Sequence, residues 1–258
     1  MVRDTILTAF IAGLVAALFF TLVQSVWITP LILKAEKYEE AGEARQAVEA
    51  DEPEHHSRGA AEHVHDESGH ADGPAHHDEP WHHHEDSGWK PRDGWPRAAF
   101  TLGANLLMGM SYALVLVAVF LLWREPKNVA AGLAYGIAGF LVFFVAPGLG
   151  LPPELPGTAA ADLTARQEWW LLTAALTATG LLLFLSSKRL WARAIALALI
   201  IAPHLIAAPH PAVEGSLAPA SLQQEFRVAT TVGNALFWLA LGFASAWTFR
   251  KLEPSKRL

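Results

Sequence analysis

The stretch AAFTLGANLLMGMSYALVLVAVFLLW, Ala98–Trp123, contains no charged side chain and no proline. A helix needs about 20 apolar residues to cross the hydrocarbon core of a bilayer, so this stretch is long enough. Its apolar side chains fall on every side of a helix rather than along one stripe, as they would in a soluble amphipathic helix. Runs of the same kind recur at Thr5–Leu33, Val129–Ala146, Gln167–Ser186, Ala192–Ala208 and Val228–Phe249. The 258-residue chain is 52% hydrophobic. These runs predict an all-α, polytopic membrane protein of about six transmembrane helices. The opening MVRDTILTAFIAGLVAALFF resembles a signal peptide. Its apolar run continues to Leu33 without a small-residue cleavage site, so it is expected to stay as the first span.

Residues 1–33 are thus read as the first transmembrane helix, 34–97 as an external loop, and 98–258 as a five-helix body with a basic tail. Pro30 should kink the first helix near Val26. The sequence KAEKYEEAGEARQAVEADE, Lys34–Glu52, is rich in helix formers and should prolong that helix into water until Pro53. Span 3 is expected to end at Pro147, and the proline-rich segment after it could re-enter the membrane. Six spans place both termini on one side. Arg3, Arg124, Lys127, Lys188, Arg189, Arg193, Arg250, Lys251, Lys256 and Arg257 all fall on that side, which positive-inside logic assigns to the cytoplasm. Trp123, Trp169, Trp170, Trp191 and Trp247 read as interfacial anchors.

The long loop then lies outside. It contains HHSRGAAEHVHDESGHADGPAHHDEPWHHH, from His55 to His84. Of the 12 histidines, all but His204 and His210 are here: His55, His56, His63, His65, His70, His76, His77, His82, His83 and His84. Neutral imidazole ligates zinc, copper, nickel and cobalt, and the interleaved acids can complete a coordination shell. So many overlapping sets favour weak, exchangeable capture of a divalent metal over one fixed geometry. A solvated or pH-sensitive tether is the other reading of the composition. The chain has no cysteine, which excludes thiolate sites and disulfides. The concentration of acids in residues 34–97 excludes a nucleic-acid partner and suits a cationic one.

Within the membrane the sequence offers Gln24, Asn105, Asn234, His204 and His210. His204, after Pro203, is either a relay ligand or an interfacial histidine bonded to a carbonyl. Asn105 and Asn234 are more often interhelical hydrogen-bond formers than ligands. Glu154, Asp162 and Glu168 could concentrate cations at an outer loop. Gly132-x-x-x-Gly136 with Gly139 predicts a close helix contact.

Spans 1, 3 and 5 end in Thr29-Pro30-Leu31, Ala146-Pro147-Gly148-Leu149 and Ala202-Pro203-His204-Leu205. An arginine (Arg97, Arg166, Arg227) opens each return helix. This pattern suggests three pseudo-repeated hairpins, with the histidine loop inserted in the first. No phosphate loop, H-E-x-x-H helix or nucleophile elbow is present, so no enzyme is expected.

WITPLILKAE (residues 27–36) followed by the His/Asp/Glu loop resembles the bacterial CbtA proteins, cobalt-transporter A subunits. So do APGLGLPPELPG (146–157), ADLTARQEWW (161–170), APHLIAAPHP (202–211) and VGNALFW (232–238). The resemblance covers essentially the whole chain. It implies an inner-membrane protein of five or six helices, a small single-span, histidine-bearing B subunit as partner, and cobalt supply for cobalamin. The metal-handling residues it implies are the loop histidines, then His204, His210 and Glu154.

The expected function is capture of a divalent transition metal outside, cobalt by resemblance, and its passage inward as substrate, with no tightly bound cofactor. A membrane-anchored metal buffer or sensor without transport, or a nickel or zinc transporter, are the alternatives. Imidazole must be neutral to ligate. Metal titration of the 54–95 peptide should therefore show loading lost as pH falls through about 6.5.

Overall fold

The computed structural model describes residues 2–51 and 91–252. Val2–Val23 forms α1, a five-residue π-turn covers Gln24–Ile28, and α2 (Thr29–Asp51) continues from it. Together they make one helical rod of about 75 Å, at 1.5 Å per residue. The chain resumes with α3 (Trp95–Leu122) and α4 (Val129–Phe140). A second π-turn (Leu141–Val145) then leads into α5 (Ala146–Gly150). After a proline-rich segment come α6 (Leu163–Ser186), α7 (Leu190–Leu205) and α8 (Ala220–Leu252).

Five helical runs are long and apolar enough to cross a membrane: Arg3–Arg45, Trp95–Leu122, Val129–Gly150, Leu163–Ser186 and Ala220–Leu252. Large side chains such as Ile6, Phe10, Leu107 and Leu122 stand exposed on their outward faces. A water-soluble surface rarely carries so much contiguous apolar area, whereas lipid requires it. The protein is a multi-pass membrane protein. The expected sixth span is shorter: α7 has 16 residues, about 24 Å against a core of ~30 Å. It runs antiparallel to α6, with Gly180 against Ala196 at one level and Trp169 against Ile206 at another.

Prolines account for both π-turns. Pro30 and Pro147 each lie two residues beyond a π-turn. Each lacks an N–H, and its ring crowds the carbonyl four residues back, at Val26 and Phe143. Widening the turn relieves the clash without ending the helix. The expected kink near Val26 takes this form. Span 3 does not end at Pro147, as expected, but continues to Gly150. Pro203 has no such relief, and α7 stops two residues later at Leu205.

α8 is the central element, packed along α1 and α4. On α4, Gly132 and Gly136 face Gly242 and the Trp238 backbone, and a Cβ on Gly132 would lie 2.6 Å from the Gly242 carbonyl oxygen. α1 meets α3 through Gly13, Gly109 and Ala17, where a Cβ on Gly13 would lie 2.6 Å from Met110 Cα. The Gly132-x-x-x-Gly136 contact is thus as expected, with α8 as its partner. The aromatic core (Phe20, Phe120, Phe237, Trp238) fills the space between these seams. A second apolar cluster lies at the far end, where Ile28, Leu31 and Ala35 meet Leu155, Leu222 and Phe226.

The pairing of helices departs from three hairpins. α1 packs along α3 as expected, but α4 pairs with α8 and α6 with α7. The glycine seam of α4 matches α8, while α6 carries only Gly180, which is buried against α7.

Gly136→Val should therefore destabilise the protein by about 1–3 kcal/mol, because the obstructing atoms are backbone. Gly103→Ala, with open space at its Cβ, should be neutral or slightly stabilising. Thermal unfolding of both variants in detergent checks the contrast.

Candidate functional site

One end of the bundle gathers the basic residues Arg3, Arg124, Lys188, Arg189 and Lys251 around the helix ends, with Arg3 3.3 Å from Asp4. Trp247 lies 4.1 Å beneath the Lys251 ammonium, and Trp123 lies 5.4 Å from the Arg124 guanidinium. The opposite end is built differently. It carries the proline-rich segment 151–162, the 206–219 connection, the start of α8 and the first turns of α2. The chain leaves the described residues at Asp51, the last residue of α2, and re-enters at Pro91 at this end.

The proline-rich segment does not enter the membrane as helix; it lies as a cap over the bundle end. Gln223 of α8, 8% exposed, holds it in place. Its Oε1 accepts from Leu155 N–H at 3.2 Å and its Nε2 donates to the Pro153 carbonyl at 3.3 Å. The segment also bridges Thr158 to Ser216 of the next connection. Asp162 caps α6 by accepting from Ala165 N–H at 2.9 Å. That carboxylate, expected to concentrate cations, thus also starts a helix, four residues before the expected start at Gln167. Trp169 is buried and donates to the Ile206 carbonyl at 3.1 Å, so it ties α6 to the end of α7 instead of anchoring in the interface.

Two of the three arginines that open return helices are paired with an acid of the preceding outer segment. Arg97 forms a bidentate ion pair with Glu36, at 2.5 and 2.9 Å, and also reaches Asp93 at 2.9 Å. Arg166 lies 3.9 Å from Glu154. That looser pair borders two clefts. One, of about 280 Å³, is also lined by His210, Glu214 and Arg227. The other, of about 540 Å³, is walled by Phe143, Pro147 and Trp170. A third cleft, of about 280 Å³, lies between α3 and the π-turn with the start of α2, beneath Arg97 and Asp93.

Of the expected metal-handling residues, Glu154 and His210 share one cleft. His204 sits apart, half-buried, with its ring edge-on to Trp169 at 6.0 Å. The ten histidines from His55 to His84 lie outside the described residues. Among the described residues, no group of three or more His, Asp or Glu converges to hold a metal. Carboxylates and an imidazole in this arrangement can attract a cation and replace part of its hydration. They do not form a closed chelate.

Asn105, 6% exposed, donates to Thr21 Oγ1 at 3.0 Å and to Gln24 Oε1 at 2.7 Å, the interhelical role expected of it. Asn234 instead bonds within its own helix, to the Thr230 carbonyl at 3.0 Å. Gln223 and Glu36 were not legible as site residues. Gln223 sits in an ordinary polar run, and Glu36 is one of many acids on a charged helix.

Residues 2–250 match the family model described as Probable cobalt transporter subunit (CbtA). Comparison with curated proteins and with solved structures returned no match.

Gln223→Leu removes both bonds holding the cap and leaves the Leu155 N–H buried without a partner, a cost of about 1–3 kcal/mol. Hydrogen exchange should speed up across residues 151–158 while the α4–α8 core keeps its protection.

Proposed function

The chain belongs to the CbtA family of probable cobalt transporter subunits, and on that premise we propose that it captures a divalent transition metal outside the cell and passes it inward. Cobalt is the substrate that the family description names. The observation that carries the reading is the convergence at one end of the bundle. The chain returns from the histidine-rich segment at Pro91, two residues before Asp93 of one cleft. α2, which leads into that segment, passes this end with Gly42 against Leu217, and a cleft lined by Glu154, His210 and Glu214 lies here too. Ions gathered by His55–His84 are released next to carboxylates of lower ligand strength, which suits transfer over storage. The gathering of Arg3, Arg124, Lys188, Arg189 and Lys251 at the other end supports a cytoplasmic location for the termini and an external histidine loop.

The antiparallel run of α7 along α6 supports a sixth crossing, completed by local thinning of the bilayer around a short helix. A divalent ion moving inward gains roughly 4–5 kcal/mol per 100 mV of inside-negative potential. That is sufficient for about thousandfold accumulation. The printed description as a subunit supports a partner in the membrane, and a small single-span, histidine-bearing B subunit fits this role. The bacterial inner membrane is the location that fits a supply route to cobalamin.

Radiocobalt uptake into proteoliposomes separates transport from buffering. Potential-dependent internal counts are expected from the full chain. Deleting residues 55–84 should lower uptake most at low metal concentration. Binding without internal counts would establish the buffer instead.

A further inference from the structure

The cleft between α3 and the π-turn with the start of α2 differs from the other two because a polar cluster at the α1–α3 contact lies below its hydroxyl-lined floor. Ser25, Thr29 and Thr101 line it beneath Arg97 and Asp93. One turn below Thr101 is Asn105, and one residue before Ser25 is Gln24. These two join with Thr21 in the hydrogen-bonded cluster at the α1–α3 contact. Both N–H groups of Asn105 are used there. No hydrogen bond reaches its Oδ1 among the described residues, although Asn105 is 6% exposed. The π-turn Gln24–Ile28 lies at the same level. Pro30, with no N–H, withholds the donor that the Ser25 or Val26 carbonyl would otherwise receive. Interhelical bonding alone would explain one satisfied amide pair. It leaves Oδ1, an acceptor that is not fully buried, without a partner among the described residues below the polar cleft.

The cleft lies between an ion-paired arginine and a close glycine contact. Above, Arg97 Nη1 donates to Glu36 and to Asp93, each at 2.9 Å, so both carboxylates converge on one cationic nitrogen. Below, Gly13, Gly109 and Ala17 bring the two backbones together.

We propose that the α1–α3 seam is the route by which the divalent cation leaves the outer surface, with Arg97 as its gate. Arg97 holds Glu36 and Asp93 as a tethered cation, and an arriving metal ion exchanges places with it. The ion then descends past the Ser25, Thr29 and Thr101 hydroxyls to Asn105 Oδ1. Release inward requires α1 and α3 to part at the glycine contact. Oxygen ligands of this kind hold a divalent ion weakly enough to let it leave.

This inference rests on the transport reading, and the test keeps the two apart. The chain has no cysteine, so Thr101→Cys in the full-length protein is a single reporter. A trimethylammonium methanethiosulfonate added from outside should modify Thr101→Cys, and cobalt should slow the modification. Leu107→Cys, on the exposed outer face of the same helix, should not react. Adding Arg97→Gln to the reporter should lower the half-protecting cobalt concentration by about tenfold, the equivalent of ~1.4 kcal/mol. Asn105→Leu should cut radiocobalt uptake by about tenfold, the same free-energy step, in protein that remains folded. An unreactive Thr101→Cys, labelling that cobalt does not slow, or wild-type uptake by folded Asn105→Leu overturns the route. Should Asn105→Leu fail to fold, labelling alone decides. Absence of uptake by the unaltered protein would overturn the transport reading instead, while cobalt protection of Thr101→Cys would still locate the ion in the seam.

Discussion

The structure depends on how closely α8 is approached by α4 and α1. In lipid the hydrophobic effect does not drive helices together, because the tails are as apolar as the side chains. What remains is dense packing, and that requires backbones to come within reach of each other. Gly132 and Gly136 allow it on α4, and Gly242 allows it on α8. Trp238 then fills the space over Gly139 and stacks on Phe143, with ring centroids 5.6 Å apart. With α8 fixed, the position of its first turns is fixed too. Those turns carry Leu222, Gln223 and Phe226, which hold the cap and the lower part of α2.

The prolines shape the opposite end. Where a π-turn absorbs the steric conflict, the helix continues: α1 runs on into α2, and α4 into α5. Where nothing absorbs it, at Pro203, the helix ends. The result is one long rod, one bent helix and one short helix. The clefts at this end lie between those unequal ends and the proline-rich segment laid over them. A set of uniform helices would leave no such space.

Electrostatics then distinguishes the two ends. At the basic end, Lys251 and Arg124 stand by tryptophan faces, Arg193 lies over Phe184 and Arg3 is paired with Asp4. At the cap end, Arg97 and Arg166 are matched with Glu36 and Glu154. Each pair is partly exposed, so its worth to stability is small. No group of three or more His, Asp or Glu converges among the described residues.

The sequence by itself determined the class of the protein. Long uncharged runs can satisfy backbone hydrogen bonding in lipid only as helices, so the all-helical spanning class and the small-residue contact on α4 were legible locally. Six spans were expected, and five of the runs are long and apolar enough to cross. The pairing logic was not legible. The hairpin pattern anticipated α1 with α3, yet α4 chose α8, because complementarity between two glycine faces cannot be read from either alone. Asn105 could be named as polar at depth, but its partners Thr21 and Gln24 come from another helix. Glu36 was one acid among many until the fold set Arg97 beside it. Tertiary structure decided these pairings because a contact between distant residues depends on the angle and register of two helices, and no local spacing encodes either.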